Sequence, residues 1–216
     1  MVTDRKWLPL LLAAAVFGIG VLLFRGCWNN NWPMRNAAAA GGPVVCFGDS
    51  LVAGVGADTP ETAYPARLEK LIGRPVASCG LTGYTTADGL NWLREHPDDF
   101  RDSLVIVTLG GNDLLGHRPW ADTERDLQAL FDELHHRGAF VAYTGVSVPL
   151  LANHTGEQRS LCRKNGVLFI PNLLGGILGD RTLKADEIHP NAAGYAIVAG
   201  RVAATLQGFR GFRKTP

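Results

Sequence analysis

The sequence predicts an α/β domain in which a parallel sheet of five strands is covered by helices on both faces. Short apolar runs alternate with segments of helical period from Val44 onward. Runs that are apolar throughout are typical of parallel strands buried on both faces. The stretch 43–207 has the length of one ordinary domain, long enough to bury a core without disulfides or metal. Alternating elements of this kind favour a parallel sheet over an antiparallel one.

Each predicted strand is a short apolar or β-branched run. The first ends at Gly48, the third is stopped by Gly110 and Gly111, and the fifth is ended by Pro171. Glycine and proline are the residues that most often punctuate regular structure. The predicted strands are residues 44–47, 75–77, 104–109, 140–144 and 167–170.

The predicted helices follow the strands and place apolar residues on one face. In the clearest of them Leu127, Leu130, Phe131 and Leu134 recur at helical spacing, and Gly138 follows the basic end. The predicted helices are residues 64–72, 86–96, 122–137, 158–164 and 191–206.

The N-terminal segment, residues 1–27, differs in composition from the domain. Arg5 and Lys6 precede an uncharged run, residues 7–24, and Arg25 follows it. As a helix this run rises about 27 Å, close to the roughly 30 Å core of a bilayer. We expect a membrane anchor with the domain outside the cytoplasm, in a bacterial periplasm. A cleaved signal with secretion is the alternative, and a lipid anchor on Cys27 is a third, weaker one.

The remaining ends of the chain predict little regular structure. Residues 28–42, rich in Asn, Ala and Gly, are expected to be a linker. Residues 208–216 form a basic tail, expected to be a frayed terminus rather than a membrane-binding patch.

Charge and cysteine content argue against several partners. The formal net charge is +1, so no nucleic-acid partner is expected. The four cysteines form no CxxC pair and no metal site is predicted. Cys46 and Cys79 remain open between buried thiols and a disulfide. The pair His135 and His136, at a helix end, is expected to favour the helix dipole rather than a metal.

Four clusters of polar and glycine residues fall just after predicted strands or past a following loop, at the edge where open parallel sheets carry their sites. They are residues 47–51 (Phe-Gly-Asp-Ser-Leu), 80–86 (Gly-Leu-Thr-Gly-Tyr-Thr-Thr), 110–113 (Gly-Gly-Asn-Asp) and 186–190 (Asp-Glu-Ile-His-Pro). Each cluster alone is more often a structural turn or loop. Their joint occurrence in this order indicates a catalytic site.

The clusters hold the parts of a serine hydrolase. Ser50 is the candidate nucleophile, His189 the general base, and Asp186 the group that fixes the tautomer of the imidazole. Pro190 disfavours a helical conformation at His189 and is expected at the first position of the next helix. The amide of Ser50, Gly83 and the side chain of Asn112 are candidate donors to an oxyanion.

These four blocks resemble the GDSL/SGNH hydrolase family, and are most similar to its small bacterial thioesterase, lysophospholipase and arylesterase branch. The resemblance covers residues from Val44 to the last helix. It implies a three-layer α/β/α sandwich, doubly wound and flavodoxin-like, with no cofactor. It also implies that Ser50, Gly83 and Asn112 form the oxyanion hole. Relatives often have Asn where this chain has Ser78, which puts the supporting hydrogen bonds at that position in doubt.

Apolar residues near the blocks mildly favour an acyl chain as ligand: Leu51, Leu114, Leu115 and Val148 are the candidate substrate-binding residues. The expected activity is hydrolysis of small acyl esters of the arylester, thioester or lysophospholipid type through an acyl-enzyme. Removal of O-acetyl groups from a cell-envelope polysaccharide is an alternative. An inactive, anchored binding protein is a further one, since fold alone does not fix function.

Overall fold

The sheet has five parallel strands in the order β2-β1-β3-β4-β5. The structure, a computed structural model, describes residues 30–147 and 153–212. The strands are β1 (Val44–Gly48), β2 (Val76–Gly80), β3 (Leu104–Thr108), β4 (Phe140–Thr144) and β5 (Leu168–Ile170). This order is that of the flavodoxin-like doubly wound sheets, so the predicted fold class is confirmed.

Seven α-helices and two 3₁₀ turns occur in the described residues. The helices are α1 (Ser50–Ala53), α2 (Tyr64–Ile72), α3 (Thr86–Glu95), α4 (Gly111–Leu115), α5 (Trp120–His136), α6 (Thr155–Asn165) and α7 (Ala192–Gly208). The 3₁₀ turns are Ala37–Gly41 and Pro60–Thr62. Helices α1 and α4 are not predicted, because four or five residues are too few to display a helical period.

The helices cover the sheet as two outer layers. Helices α2 and α7 pack on each other, and α5 packs on both α3 and α6. Strands β1, β3 and β4 are buried along their whole length. Strand β2 lies at one edge of the sheet, has exposed positions and pairs only with β1 among the described strands. A sheet buried on both faces explains why the central strands are apolar throughout.

The register of the first two strands decides the question of a disulfide. Cys46 lies beside Ser78, and Cys79 lies beside Phe47. Because side chains alternate between the faces of a sheet, Cys46 and Cys79 point to opposite faces. The alternative of a Cys46–Cys79 disulfide is therefore wrong, and Cys46, Cys79 and Cys162 are free thiols.

The segment before the first strand is bound to the domain from Trp32 onward. The Trp32 indole donates to the Val167 carbonyl at 3.0 Å. The Asn36 side chain donates to the carbonyls of His135 and Ala139. Ala40 is fully buried. Residues 32–42, the leading segment hereafter, therefore belong to the domain rather than to a free linker, since long-range hydrogen bonds hold them.

The predicted frayed tail is also wrong for its first residues. The Phe209 ring stacks on Phe140 with centroids 4.9 Å apart. Phe212 is buried beneath the guanidinium of Arg74, 5.0 Å from the ring centroid. Apolar burial thus keeps the chain packed on the domain as far as Phe212. Residues 213–216 lie outside the described residues.

The predicted membrane anchor, residues 7–24 within the N-terminal segment, lies outside the described residues. In the described ranges no helix has both the length and the apolar character that a membrane span requires.

Candidate active site

A cleft of about 370 Å³, open to solvent, lies at the carboxyl edge of the sheet. Its polar lining comes from the motif residues Asp49, Ser50, Asn112 and His189, together with Gly111. These residues come from three separate stretches of the chain, which follow β1, β3 and β5. The edge that the sequence predicts as the site is therefore the edge that carries the cleft.

Ser50 is the first residue of α1 and follows β1 with one residue between them. That residue, Asp49, caps the helix by accepting a hydrogen bond from the Leu51 amide at 3.0 Å. The Asp49 amide in turn donates to the Thr108 carbonyl at 3.1 Å, at the end of β3. The turn is thus held from both sides, and only 8% of Ser50 is exposed.

Ser50, His189 and Asp186 form a hydrogen-bonded row. The Ser50 Oγ lies 3.0 Å from His189 Nε2. His189 Nδ1 lies 2.7 Å from Asp186 Oδ2. A proton on Nδ1 donates to the carboxylate, which leaves the Nε2 lone pair to accept the serine hydroxyl proton. The row therefore has the geometry of a nucleophile, its base and the group that orients the base.

Asp186 is held by the backbone as well as by the imidazole. Its Oδ1 accepts the amides of Ile188 at 2.9 Å and of His189 at 2.8 Å. Partial burial raises the pKa of this carboxyl, but the hydrogen bonds from Ile188 and His189 outweigh it, and the pKa is lowered. Asp186 therefore stays ionised, as a partner for an imidazolium must.

The turn from His189 into α7 differs from the prediction in one respect. Pro190 precedes the cap and is not the first helical residue. Asn191 is the cap, and its side chain accepts the amides of Ala193 and Gly194 at 3.0 and 3.1 Å. An asparagine side chain satisfies two free amides that a proline cannot, so the helix begins at Ala192.

A second carboxyl, Asp49, lies beside the nucleophile and is only 2% exposed. Burial raises its pKa to about 6, against the opposing hydrogen bond from the Leu51 amide and the attraction of His189. At neutral pH the ionised Asp49 carboxylate is therefore destabilised by burial. Its hydrogen bond from the Leu51 amide also shapes the turn that presents Ser50.

The predicted oxyanion donors lie in different positions relative to the cleft. Asn112 lines it, and its Nδ2 donates one hydrogen to the Tyr84 carbonyl at 2.8 Å. The second Nδ2 hydrogen stays available to a ligand. The Ser50 amide is the first of α1, where a helix has no internal acceptor. Gly83, at φ 85°, is exposed and does not line this cleft. Its role stays a prediction.

The residue after Asn112 organises the two loops that carry these donors. Asp113 is 1% exposed and accepts the Thr86 amide at 2.9 Å and its hydroxyl at 2.7 Å. Arg118 donates to the same carboxylate at 2.7 Å and also pairs with Asp126. Asp113 belongs to the third motif cluster, but the motif does not predict this structural role. Its buried position among the donors ties the loop after β2 to α4.

The apolar wall of the cleft is only partly predicted. Leu51 and Leu115 line it, whereas Leu114 does not, and Val148 lies outside the described residues. Four lining residues were not predicted: Val146, Leu174, Leu178 and Ile188. No local signal distinguishes Val146, Leu174 and Leu178 from core residues, and Ile188 lies within a motif without a predicted contact of its own.

Gly56 is a further residue that the motifs do not reveal. Its φ is 88°, and a Cβ there would lie 2.5 Å from the Pro190 carbonyl oxygen and 3.3 Å from the His189 Cβ. Only glycine permits this approach without strain. The loop after α1 can therefore back directly onto the backbone that carries His189.

His135, the first of the two histidines at the end of α5, does not act on the helix dipole as predicted, whereas for His136 that role stays a prediction. His135 is 5% exposed and neither ring nitrogen has a hydrogen-bond partner. Burial, with the nearby Arg35 charge, lowers its pKa to about 4, so the ring is neutral. Among the residues described, no group of three or more His, Cys, Asp or Glu is placed to hold a metal.

Comparison with known proteins agrees with this geometry. A profile of the GDSL-like lipase/acylhydrolase family matches residues 46–197. Esterase TesA of Pseudomonas aeruginosa is 26% identical over 198 residues, which cover 86% of this chain and 97% of TesA. The crystal structure of AlinE4, an SGNH-hydrolase family esterase, is 30% identical with a TM-score of 0.60, over 78% of this chain and 97% of AlinE4.

A more distant structure shares the fold. A two-domain esterase active on acetylated mannans is 19% identical with a TM-score of 0.62, over 82% of this chain and 53% of that chain. The family match spans all four motif blocks, from Cys46 in β1 to Ile197 in α7. The chain therefore belongs to the GDSL-like lipase/acylhydrolase family and is a carboxylic ester hydrolase of the GDSL/SGNH type.

Proposed function

We propose that Ser50 is the nucleophile of this esterase, with His189 as general base and Asp186 as its orienting partner. The single observation that carries the proposal is the hydrogen-bonded row from Ser50 through His189 to Asp186. It lies on the wall of an open cleft, where an ester can reach the serine. Proximity of all three groups is what an acyl transfer requires.

The reaction runs in two halves. The Ser50 Oγ attacks the ester carbonyl carbon while His189 Nε2 takes the hydroxyl proton. The tetrahedral oxyanion is held by the Ser50 amide and the free Nδ2 hydrogen of Asn112, with the Gly83 amide as a predicted third donor. The intermediate then collapses, and His189 gives the proton to the leaving alkoxide or thiolate. Water repeats the sequence on the acyl-enzyme and releases the acid.

Asp186 acts on the base rather than on the substrate. Its charge keeps the proton of His189 on Nδ1 and stabilises the imidazolium that forms during attack. The two backbone amides on Oδ1 fix the carboxylate so that Oδ2 faces the ring. No metal or cofactor is needed for these steps.

The substrates proposed are simple acyl esters: aryl esters, thioesters and lysophospholipids. The support is the apolar part of the cleft, made by Leu51, Leu115, Val146, Leu174, Leu178 and Ile188. Removal of O-acetyl groups from a polysaccharide is the alternative substrate class. It is favoured only by a shared fold with an esterase active on acetylated mannans.

We also propose a cellular location for the enzyme. The uncharged run of residues 7–24 after Arg5 and Lys6 supports a membrane anchor with the domain in the periplasm, or secretion if the segment is cleaved. The full chain should then sediment with membranes, and recovery of the intact chain wholly in the soluble fraction would contradict the anchor.

The decisive experiment pairs a substrate panel with labelling of the serine. The panel holds aryl esters of increasing acyl length, an acyl thioester, a lysophospholipid and an acetylated glycan. An organophosphorus reagent should modify Ser50 alone, and Ser50→Ala should lower kcat by at least about 10⁴-fold without loss of folding. Ser160→Ala, at an exposed serine on α6, is the matched control and should behave as wild type.

Labelling elsewhere, or full turnover by Ser50→Ala, would exclude Ser50 as nucleophile. If the wild type showed neither labelling nor turnover, the alternative of an inactive binding protein would be favoured. Turnover of the acetylated glycan alone would favour the polysaccharide alternative.

A further inference from the structure

One wall of the cleft is carried by an irregular loop after β5. This loop, residues 171–178, is called the leucine loop here. Leu174 and Leu178 line the cleft, while Leu173 and Ile177 are fully buried. Its backbone turns on itself through hydrogen bonds from the Gly175 amide to the Asn172 carbonyl and from the Ile177 amide to the Leu174 carbonyl. Asn172, the second residue of the loop, has φ 55°, in the left-handed region that non-glycine residues rarely adopt.

An irregular loop needs donors for its carbonyls, and one side chain reaches three of them. Arg201, on α7, donates through Nη1 to the carbonyls of Asn172 at 3.1 Å and Leu173 at 2.8 Å. Its Nη2 donates to the Gly175 carbonyl at 2.7 Å. The planar guanidinium presents its donors in a fixed fork that matches these three carbonyls, whereas an ammonium group is a compact point charge on a flexible stem.

The Arg201 side chain makes its hydrogen bonds away from the reacting atoms. All three hydrogen bonds of its guanidinium go to the leucine loop, and among the described residues none goes to the Ser50–His189–Asp186 row. That row is held separately, by the amides of Ile188 and His189 on Asp186. Loosening the loop can therefore move the wall of the cleft while leaving the nucleophile and base in place.

We propose that Arg201 is a positioning residue that sets the acyl-chain selectivity of this esterase, by holding Leu174 and Leu178 as a fixed wall for the acyl chain. The inference rests on the proposed ester hydrolysis at Ser50. A methylene that packs on a fixed apolar wall gains about fourfold in binding, and a mobile wall forfeits much of that gain. An acetyl group is too short to use the wall, so its hydrolysis depends on Arg201 far less.

The test measures kcat and KM for 4-nitrophenyl acetate, butyrate, hexanoate and octanoate with wild type and Arg201→Gln. We expect the hexanoate-to-acetate ratio of kcat/KM to fall about tenfold in the variant, mainly through KM, because about two of the four additional methylenes of hexanoate lose a fixed wall. Acetate turnover should change by less than about threefold. Arg67→Gln is the matched control, since Arg67 donates to one carbonyl, that of Thr62 at 2.9 Å, away from this loop.

A coupling measurement separates this action from a general loss of folding. Leu178→Ala should lower the same ratio, and the double variant Arg201→Gln/Leu178→Ala should lose little more, because both changes remove one wall. If Arg201→Gln does not fold, Arg201→Lys is judged by the same ratio, since it keeps the charge but not the fork.

Equal losses for all four esters, or an unchanged ratio, would overturn the assignment of Arg201 while leaving ester hydrolysis intact. Failure of the proposed function gives a different result: the wild type would hydrolyse none of the esters and Ser50 would resist labelling.

Discussion

At the carboxyl edge of the sheet, Ser50, His189 and Asp186 bond to one another and keep one face toward an open cleft. At the amino edge, Arg137 is 6% exposed and gives its donors to the carbonyls of His96 at 2.7 Å, Asp99 at 3.1 Å and Leu93, and to the Glu133 carboxylate. Both edges are thus rich in polar side chains.

The difference lies in what remains unsatisfied. All the donors of Arg137 are bonded within the protein, and two donors of Arg74 bond the carbonyls of Ala40 and Gly42. At the other edge, Asn112 keeps one amide hydrogen and His189 keeps a lone pair that only a serine proton occupies. On this fold, polar groups that keep an unused donor or acceptor lie at the reactive edge. Polar groups whose donors are bonded within the protein contribute to stability instead.

The largest test of this contrast removes a charge from the carboxyl edge. Asp186→Asn keeps the shape but permits the wrong tautomer of His189, so kcat should fall by about 10³–10⁴-fold. Folding stability should change by less than about 1 kcal/mol, since Asp186 is half exposed. Steady-state kinetics and urea unfolding give the two values. Glu187→Gln, at an exposed neighbour, is the control. A loss of less than tenfold would show that Asp186 does not orient the base.

The converse test removes a charge from the amino edge. Arg137→Met removes the hydrogen bonds that a buried guanidinium donates to three carbonyls and to the Glu133 carboxylate, so the free energy of unfolding should fall by about 3–5 kcal/mol. The kcat of the folded enzyme should stay within about twofold of wild type. Arg101→Met, which breaks the exposed pair with Asp98, should cost at most about 1 kcal/mol. If the Arg137→Met variant were as stable as wild type but slow in catalysis, the assignment of stability to the amino edge would be wrong.

The smallest expected effect compares one buried titratable group from each edge. Burial raises the pKa of Asp49 to about 6, so its contribution to stability is present below about pH 4 and lost as the pH rises through 6. Burial lowers the pKa of His135 to about 4, so its contribution is present above about pH 6.5 and lost as the pH falls through 4. The two contributions oppose each other between pH 4 and 6.

Single variants should expose each slope. Asp49→Asn should make the free energy of unfolding fall more steeply from pH 6.5 to 4 than in wild type, by about 1–3 kcal/mol. His135→Leu should make it fall as the pH rises over the same range, by a similar amount. Urea unfolding at pH 4.5 and 7 measures both. Slopes that change in the same direction in the two variants would exclude this assignment of the charges.

The sequence was sufficient for the sheet because its buried strands carry a local signal. Apolar runs such as residues 104–109 predict β3 whatever they later pack against. The row of Ser50, Asp186 and His189 was likewise predictable, since each residue sits in a motif whose chemistry demands the others. These predictions depend on spacing along the chain, which the sequence records directly.

The parts that escaped prediction depend on contacts between distant residues. The binding of Trp32 to Val167 joins residues 135 positions apart, and no local pattern announces it. Leu174 and Leu178 look like ordinary core residues until the loop is folded against the cleft. Gly56 is ordinary in sequence and becomes necessary only where His189 crosses it. Long-range proximity is what the sequence alone does not record.

The path of the leading segment also fixes how the catalytic cleft is presented. Its Arg35 amide bonds Gly166 and its Trp32 indole bonds Val167, just before β5, so the segment runs beneath the amino edge. The domain therefore begins at the amino edge of the sheet, whereas Ser50 lies at the carboxyl edge. Fusion partners and solid supports attached at the amino edge leave the approach to the serine unobstructed, whereas attachment through residues of the carboxyl edge would cover it.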